Sequence, residues 1–307
     1  PRYQGHSHSR SGVREICIMD ITTLISALLK TTAVVPFAKS LSKALYEKID
    51  MLMLPSKEAE ALLIEQFKNS DDPLPLKTVK IKHAKKLLKE WENQYDIYKI
   101  AQDELDTQPK QDHSEDVDAE WLSRFMDSSK HVCSDDVKLI WGKLLAEECT
   151  HPNSVPTRLI NILSIMDRKL SLAFSTLCSL CLYDSRGNIT PIIRSEDPFF
   201  RQLGLSFEML SELDSIGLIN FKGGEEFRLF VSNPSITKFE HTYIYNSTAY
   251  RLESETRDIV VTEVLMTDAG SALYRIIPKN YNVTFESMLP ELLKNYSFTK
   301  IDHLSSK

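Results

Sequence analysis

Apolar residues recur at helical spacing along most of the first 183 residues, which predicts a mainly α-helical N-terminal part. The pattern predicts four consecutive helices, at about 119–130, 135–149, 155–166 and 168–182. A longer two-faced helix precedes them, from Lys77 to about Ala101. Its apolar side carries Ile81, Ala84, Leu88, Trp91 and Tyr95. We interpret the four helices as a compact central bundle, residues 119–183.

Three shorter helices are predicted nearer the N terminus. Asp20 can cap the first, a second begins after Pro36, and Ser56 opens the third. Together with the long helix they form an N-terminal helical region, 19–101. Residues 1–18 resemble an ill-ordered leader, or one added for expression, and are left out of the fold prediction.

The pattern changes after Tyr183 and predicts a smaller α+β part, 184–307. A short helix, SFEMLSELDS, is stopped by Gly217 and leads into a strand, and KGGEE is a tight-turn signal. Alternating and β-branched runs then predict strands, Thr267 caps a further helix, and YSFTKI is a possible edge strand. A helix, a β-ribbon and another helix suggest a winged-helix-like module.

An acidic stretch separates the long helix from the predicted bundle. Residues 102–118 combine many carboxylates with almost no apolar side chain, a composition typical of a solvated linker. We therefore predict a domain boundary there.

Composition favours an intracellular, cytoplasmic protein. Five cysteines without framework spacing and 26% charged residues fit a reducing compartment. The formal net charge of -6 argues against binding polyanions over the whole surface, so any such contact needs a local basic patch. Lys30, Pro36 and Lys39 interrupt the most hydrophobic window, 21–41, which favours amphipathic or buried helices over a membrane span.

The usual catalytic motifs are missing from the sequence. The nine glycines are scattered, so no phosphate-binding loop or dinucleotide fingerprint can be built. There is no G-x-S-x-G elbow and no H-E-x-x-H pair. We expect no cofactor, and the sequence favours a protein that is not an enzyme.

Two weak chemical constellations remain. Four side chains could in principle hold zinc: Cys149, His151, Cys178 and Cys181. Cys178 and Cys181 lie on an apolar helix face, so we favour core packing over metal binding. Arg124 and His131 have the spacing of metal-independent HEPN-type ribonucleases, but Phe125 stands where that motif usually has a polar residue, and a surface arginine with a loop histidine is the preferred interpretation.

A lysine stripe on the long helix is the best electrostatic candidate. Lys82, Lys85, Lys86 and Lys89 would present four cations to phosphates or to anionic head groups. The simpler alternatives are a solvated helix face, or neutralisation by the acidic stretch within the chain or across a dimer.

Glu148 is the most informative single residue. It falls in the middle of the apolar face formed by Val137, Ile140, Trp141, Leu144 and Leu145. An unpaired carboxylate there would cost several kcal/mol, so it needs a partner. We expect Arg158, or backbone N–H groups around 154–157, to satisfy it, and we favour a structural tie between consecutive helices over a general base.

The stretch from 116 to 159 resembles a known family. Its Asp-x-x-Trp-Leu start, Ser-Asp-Asp-x-x-x-x-Trp-Gly-x-x-Leu-Ala-x-Glu centre and Pro-x-Ser-x-x-x-Arg turn are similar to domain-of-unknown-function family 2806, a bacterial and often prophage-borne family. A more distant likeness is to abortive-infection alpha proteins. The signature positions of the family correspond here to Trp121, Phe125, Trp141, Ala146, Glu148, Pro152 and Arg158. Asn153 and Pro156 stand where the family's turn usually has glycine and serine.

The resemblance carries no established chemistry and implies only a phage-related context. We therefore expect a non-enzymatic interaction protein that binds a protein partner or nucleic acid. Its assembly into a homo-oligomer stays open. Two alternatives stay open: a HEPN-like ribonuclease toxin using Arg124 and His131, and a peripheral membrane-associating effector.

Overall fold

The computed structural model describes residues 40–51, 63–107, 111–230 and 237–301. The chain divides into two compact units, residues 1–154 and 155–307. The leader, the helix at Asp20 and the start of the helices at Pro36 and Ser56 lie outside the described residues.

The first unit is helical. Helix α1 spans Ser40–Ile49, α2 Leu74–Thr107, α3 Ala119–Ser129 and α4 Asp135–Thr150, with a 3-10 turn at Ser114–Asp116. Residues 63–68 are also helical and contribute Leu63 and Phe67 to a small core with Ala84 and Leu88. The helices predicted from the periodicity at 77–101, 119–130 and 135–149 are thereby confirmed, with end points that differ by a few residues.

Helix starts in this unit follow the capping rules in part. The Asp118 carboxylate accepts a hydrogen bond from the backbone N–H of Trp121 at 2.8 Å, which fixes the first turn of α3. Ser134 occupies the corresponding position of α4, but within the described chain its side chain makes no capping hydrogen bond. Asp135 and Asp136 in the first turn of α4 instead complement the positive end of the helix.

Helix α2, about 50 Å long, packs closely against α4. Gly142 allows this approach, because a Cβ atom built on it would lie 2.5 Å from Cγ2 of Ile100. The side-chain amides of Asn93 and Gln94 donate to the carbonyls of Lys130 and Met126 at 2.9 and 2.6 Å. These bonds connect α2 to the C-terminal end of α3.

The described residues of the acidic stretch, 102–107 and 111–118, are more ordered than its composition predicts. Helix α2 continues to Thr107, and Leu105 is buried on it. Ser114 and Val117 are buried as well, and the N–H of His113 donates to the carbonyl of Cys149 at 2.8 Å. The few inward positions suffice to hold the segment against the helices, while Asp103, Glu104 and Asp106 face solvent. The division between the compact units falls instead after residue 154.

The second unit combines helices with short strands. Its helices are α5 Thr157–Ile165, α6 Arg168–Cys178, α7 Pro198–Gln202, α8 Phe207–Ser215, α9 Asp268–Ile276 and α10 Val283–Leu292. Its strands are β1 Cys181–Tyr183, β2 Ile189–Pro191, β3 Ile219–Phe221, β4 Phe227–Phe230, β5 Phe239–Tyr245, β6 Thr248–Ser254, β7 Asp258–Thr262, β8 Val264–Met266 and β9 Ser297–Lys300.

One helix in this unit is shorter than predicted. The expected helix 168–182 ends at Cys178, and strand β1 begins at Cys181. The apolar run LCSLCLY fits a buried strand as well as a helix, and pairing with β2 and β5 decides for the strand. The predicted bundle 119–183 is therefore divided, since α3 and α4 belong to the first unit and α5 and α6 to the second.

The strands form one sheet and two ribbons. The sheet has the order β2-β1-β5-β6-β9, so β9 is an edge strand as YSFTKI predicts. Strands β3 and β8 pair antiparallel, and β4 pairs antiparallel with β7. The turn KGGEE therefore joins β3 to β4, whose partners β8 and β7 both lie later in the chain. The β5–β6 hairpin turns at Asn246 and Ser247, both with positive φ.

A turn joins the two short helices α7 and α8. Gly204 adopts a φ of +85° in this turn, and the Ser206 hydroxyl accepts from the N–H of Met209 to start α8. Further along, Thr267 caps α9 as predicted, and its hydroxyl also donates to the carbonyl of Gly217 at 2.7 Å. The end of α8 is thereby connected to the start of α9.

At the level of architecture, a helical N-terminal part and a sheet-containing C-terminal part are confirmed. Across 40–51, 63–107, 111–230 and 237–301, none of the helices combines the length and the apolar character that crossing a membrane requires.

Candidate functional site

The aromatic signature residues form one cluster in the first unit. The rings of Trp121 and Phe125 stack at 5.0 Å, and those of Phe125 and Trp141 meet at 5.1 Å. All three side chains are buried. They face the core because α3 and α4 both place their apolar stripes inward. Their position indicates a role in packing α3 against α4.

Glu148 points into the same interior, as its place on the apolar face predicts. Its exposed fraction is only 1%. The carboxylate oxygen Oε1 accepts a hydrogen bond from the backbone N–H of Asn153 at 2.7 Å. We expected Arg158 or a backbone N–H around 154–157 to satisfy Glu148. The observed partner is a backbone N–H, that of Asn153, one residue before the expected range. Arg158 forms an ion pair with Asp268 instead, at 3.7 Å, and both side chains are well exposed.

The turn after α4 depends on Asn153. Its φ is +69°, in the left-handed region that side chains other than glycine and asparagine rarely adopt. This backbone conformation turns the Asn153 N–H back toward Glu148. Asparagine, like glycine, adopts this conformation at low cost.

Substitutions at Asn153 should separate backbone conformation from side-chain chemistry. Asn153→Gly should leave the free energy of unfolding within about 0.5 kcal/mol of the wild type, because glycine adopts positive φ readily. Asn153→Val should lower it by about 1–2 kcal/mol, because a β-branched residue is strained in this region. Urea denaturation followed by tryptophan fluorescence measures both values. Equal stability of the two variants would contradict this account of the turn.

The cysteines considered for zinc are buried thiols. Burial raises the pKa of Cys149 to about 12 and the pKa values of Cys178 and Cys181 further above their ordinary range. His151 is exposed next to the C-terminal end of α4. Within the part of the chain that the structure describes, no three His, Cys, Asp or Glu side chains are grouped to hold a metal ion. Core packing accounts for the three thiols.

Arg124 and His131 both lie on the surface of the first unit. The guanidinium of Arg124 donates to the carboxylate of Glu120, one turn earlier on α3, at 2.7 and 3.0 Å. His131 follows the end of α3, and its carbonyl accepts a hydrogen bond from the Cys133 thiol. The arginine thus already has an acidic neighbour on its own helix.

The four lysines of the predicted stripe are exposed on the N-terminal half of α2. Two of them have acidic neighbours: Lys86 lies 3.7 Å from Glu90, and Lys89 lies 2.8 Å from Glu92. The hydrogen bond from Lys89 to Glu92 raises the pKa of Lys89 above its ordinary value. Lys82 and Lys85 have no acidic partner among the described residues. These four residues are called the lysine face below.

Buried Asp184 and half-buried His241 form a pair in the second unit that the sequence pattern did not indicate. Nε2 of His241 on β5 lies 2.9 Å from Oδ2 of Asp184, which also accepts from Asn188. Burial of Asp184 opposes its ionisation, but hydrogen bonds from Asn188, His241 and Arg186 outweigh it and keep the pKa below its ordinary value. The run DSRGN, with its Asp and Gly, is a turn signal that could have drawn attention to Asp184.

The comparison with protein families agrees with the family resemblance of the sequence. A model of the family described as "Protein of unknown function (DUF2806)" matches residues 80–290, more than half of the chain. The matched region contains the lysine face, the aromatic cluster, Glu148 and most of the second unit. No curated protein and no solved structure matches the chain significantly. The chain belongs to the DUF2806 family.

Proposed function

We propose that this protein is a non-enzymatic interaction protein that binds nucleic acid through the lysine face of α2. One observation carries the proposal: Lys82 and Lys85 are exposed on a continuous helix and have no acidic partner in the described part of the chain. On an exposed helix, unneutralised lysines contribute to binding when they contact phosphates and release the counterions bound there.

The geometry of α2 suits a row of phosphates. Lys82 and Lys89 are about 10 Å apart along the helix axis, and Lys85 and Lys86 lie between them. The ion pairs of Lys86 and Lys89 are exposed and contribute little, so phosphates can replace Glu90 and Glu92 as partners. A helix 34 residues long holds these cations in a fixed arrangement.

Four further parts of this proposal concern the fold of the second unit, the location, the biological context and the signature residues. The α7–turn–α8 arrangement, with the β3–β8 ribbon and α9, supports a winged-helix-like module in the second unit. The unbridged, buried thiols support a reducing cytoplasm as the location. The family resemblance supports a prophage or a phage-defence system, including abortive infection, as the context. The inward position of Trp121, Phe125, Trp141 and Glu148 supports a structural rather than a chemical role for these signature residues.

The salt dependence of binding tests the lysine face. We expect a fluorescein-labelled 20-base-pair DNA duplex to bind with an affinity that falls steeply as the salt concentration rises. For Lys82→Ala/Lys85→Ala, the slope of log K against log salt should decrease by about 1.8, because each lost phosphate contact removes about 0.9. Fluorescence anisotropy at several salt concentrations measures the slope.

A matched control uses two exposed lysines of the second unit that are already in ion pairs. Lys169 contacts Glu212, and Lys238 contacts Glu255. The double variant Lys169→Ala/Lys238→Ala should keep the wild-type slope. An unchanged slope in Lys82→Ala/Lys85→Ala, or equal losses in both double variants, would remove the lysine face from consideration.

The ribonuclease alternative has its own test. On the interaction proposal, wild type and His131→Ala should affect the growth of an expressing host equally and should leave its RNA intact. Gel analysis of total RNA after induction measures this. Growth arrest with RNA degradation by the wild type alone would favour the HEPN-like ribonuclease hypothesis and contradict the interaction proposal.

A further inference from the structure

The exposed surface of α2 carries cations but hardly any group that distinguishes base pairs. Between Lys77 and Trp91, the exposed residues are Thr78, Val79 and the four lysines of the lysine face. The Thr78 hydroxyl donates to the carbonyl of Leu74, one turn earlier on the helix, at 2.9 Å. A lysine ammonium binds phosphate as a point charge, whereas base pairs are distinguished chiefly by the paired hydrogen bonds of Arg, Asn and Gln side chains. Since α2 contains no arginine, its exposed surface suits the phosphate backbone rather than the bases.

The amide side chains of α2 that could read bases are buried. The helix has three of them, Asn93, Gln94 and Gln102, and each is less than a tenth exposed. Their nitrogen atoms donate to oxygen atoms of the protein itself, at 2.6 to 3.0 Å. Turning any of these amides toward a base would break its hydrogen bond and expose the core, so they do not take part in recognition.

The other helix that could read bases, α8 of the second unit, is acidic. In helix-turn-helix proteins the second helix of the pair enters the major groove, and in the α7–turn–α8 arrangement that helix is α8. Its sequence, FEMLSELDS, contains no Lys or Arg, and Glu208, Glu212 and Asp214 are exposed on it. Glu212 contacts Lys169, while Glu208 and Asp214 have no cationic partner in the described chain. Phosphates on both sides of a groove would repel these carboxylates, so α8 does not supply base reading either.

We propose that the protein binds nucleic acid of any base sequence, because the lysine face contacts the phosphate backbone and no exposed group of α2 or α8 reads the bases. The inference rests on the proposed function and specifies its ligand. Binding of this kind draws essentially all of its free energy from phosphate contacts and the release of counterions. Its affinity depends on the salt concentration and on the number of phosphates within reach, and not on the order of the bases.

A selection from random sequences tests the inference. Duplexes with 20 random base pairs are selected on the immobilised full-length protein over several rounds and are then sequenced. We expect no enriched motif, and duplexes from the last round should bind within about threefold of the starting library. A protein that reads its site binds that site about a thousandfold or more tightly than other sequences, so the selection would enrich such a site readily.

A strand without bases tests the backbone contact directly. A 20-unit abasic DNA strand has the phosphates of a 20-nucleotide oligo-dT strand but no bases that could stack or form hydrogen bonds. We expect the two labelled strands to bind the wild type within about threefold of each other, measured by fluorescence anisotropy at the same salt concentration. Lys82→Ala/Lys85→Ala should weaken the binding of both strands equally, and the control Lys169→Ala/Lys238→Ala should weaken neither.

The outcomes separate this inference from the proposed function. If Lys82→Ala/Lys85→Ala lowers the salt slope but the selection enriches a motif that binds at least tenfold more tightly than its scrambled sequence, the inference alone is wrong. Tenfold tighter binding of oligo-dT than of the abasic strand has the same meaning, because it reveals contacts to bases. If the wild type binds neither duplexes nor strands, or the double variant keeps the wild-type slope, the proposed function and this inference are both wrong.

Discussion

Gly270→Ala is expected to destabilise the second unit by about 3 kcal/mol. A Cβ atom built on Gly270 would lie only 2.0 Å from the carbonyl oxygen of Leu218, which is too close for any real contact. The strain cannot be relieved by rotating a side chain, because the opposing atom belongs to the backbone. Either α9 or the start of β3 must move.

Neighbouring hydrogen bonds make such a movement costly. The backbone N–H of Thr267 donates to the Leu218 carbonyl at 3.2 Å, and the Thr267 hydroxyl lies 3.0 Å from the same oxygen. The Thr267 hydroxyl also caps α9 by accepting from the N–H of Gly270. If Thr267 moves with α9, its bonds to Leu218 break, and if Thr267 stays in place, the cap of α9 breaks.

Amide hydrogen exchange measures the effect where it occurs. In Gly270→Ala, peptides covering 205–221 and 264–277 should exchange about a hundredfold faster than in the wild type, the equivalent of about 3 kcal/mol. The adjacent substitution Ser271→Ala, on the same helix turn, should change the rates little. Wild-type exchange in Gly270→Ala would mean that α9 does not approach the Leu218 backbone as described.

Sequence periodicity predicts the helices of the first unit because the hydrogen bonds of a helix are local and each helix buries one apolar stripe. The apolar stripe of α4 specifies both that Trp141 faces the core and that Glu148 follows it inward. The partner of Glu148 could not be predicted in the same way. It depends on the positive φ of Asn153, which the sequence permits but does not require.

The second unit is harder to predict because its pairings join distant segments. β3 pairs with β8 across about 45 residues, and β4 pairs with β7, although KGGEE suggests a local turn. Cys181 lies in an apolar run that suits a helix and a strand equally, and only the presence of β2 and β5 decides it. Thr267, by contrast, is predicted correctly as a cap because capping depends on residues close in sequence.

The ion pairs of the lysine face could likewise not be predicted from the sequence. The spacing of the four lysines predicts one exposed stripe, and all four are exposed on α2. The sequence also contains Glu90 and Glu92, but it does not reveal that they pair with Lys86 and Lys89 and leave Lys82 and Lys85 without acidic neighbours in the described chain.

Glu148→Ala is expected to lower the free energy of unfolding of the first unit by about 2 kcal/mol. The substitution removes the acceptor of the Asn153 N–H and leaves a space where a side chain with an exposed fraction of 1% was packed. Glu148→Gln keeps the volume and one acceptor oxygen but loses the charge-assisted bond, so its effect should be about half as large.

All three tryptophans of the chain, Trp91, Trp121 and Trp141, lie in residues 1–154, so tryptophan fluorescence during urea denaturation reports on the first unit. The midpoint should fall in the order wild type, Glu148→Gln, Glu148→Ala. The exposed neighbour His151 provides a control, and His151→Ala should unfold like the wild type because its side chain packs against little. If Glu148→Ala also unfolds like the wild type, the carboxylate does not hold α4 to the turn that follows it. A structural role for the signature glutamate would then be untenable, and its burial would call for a different cause.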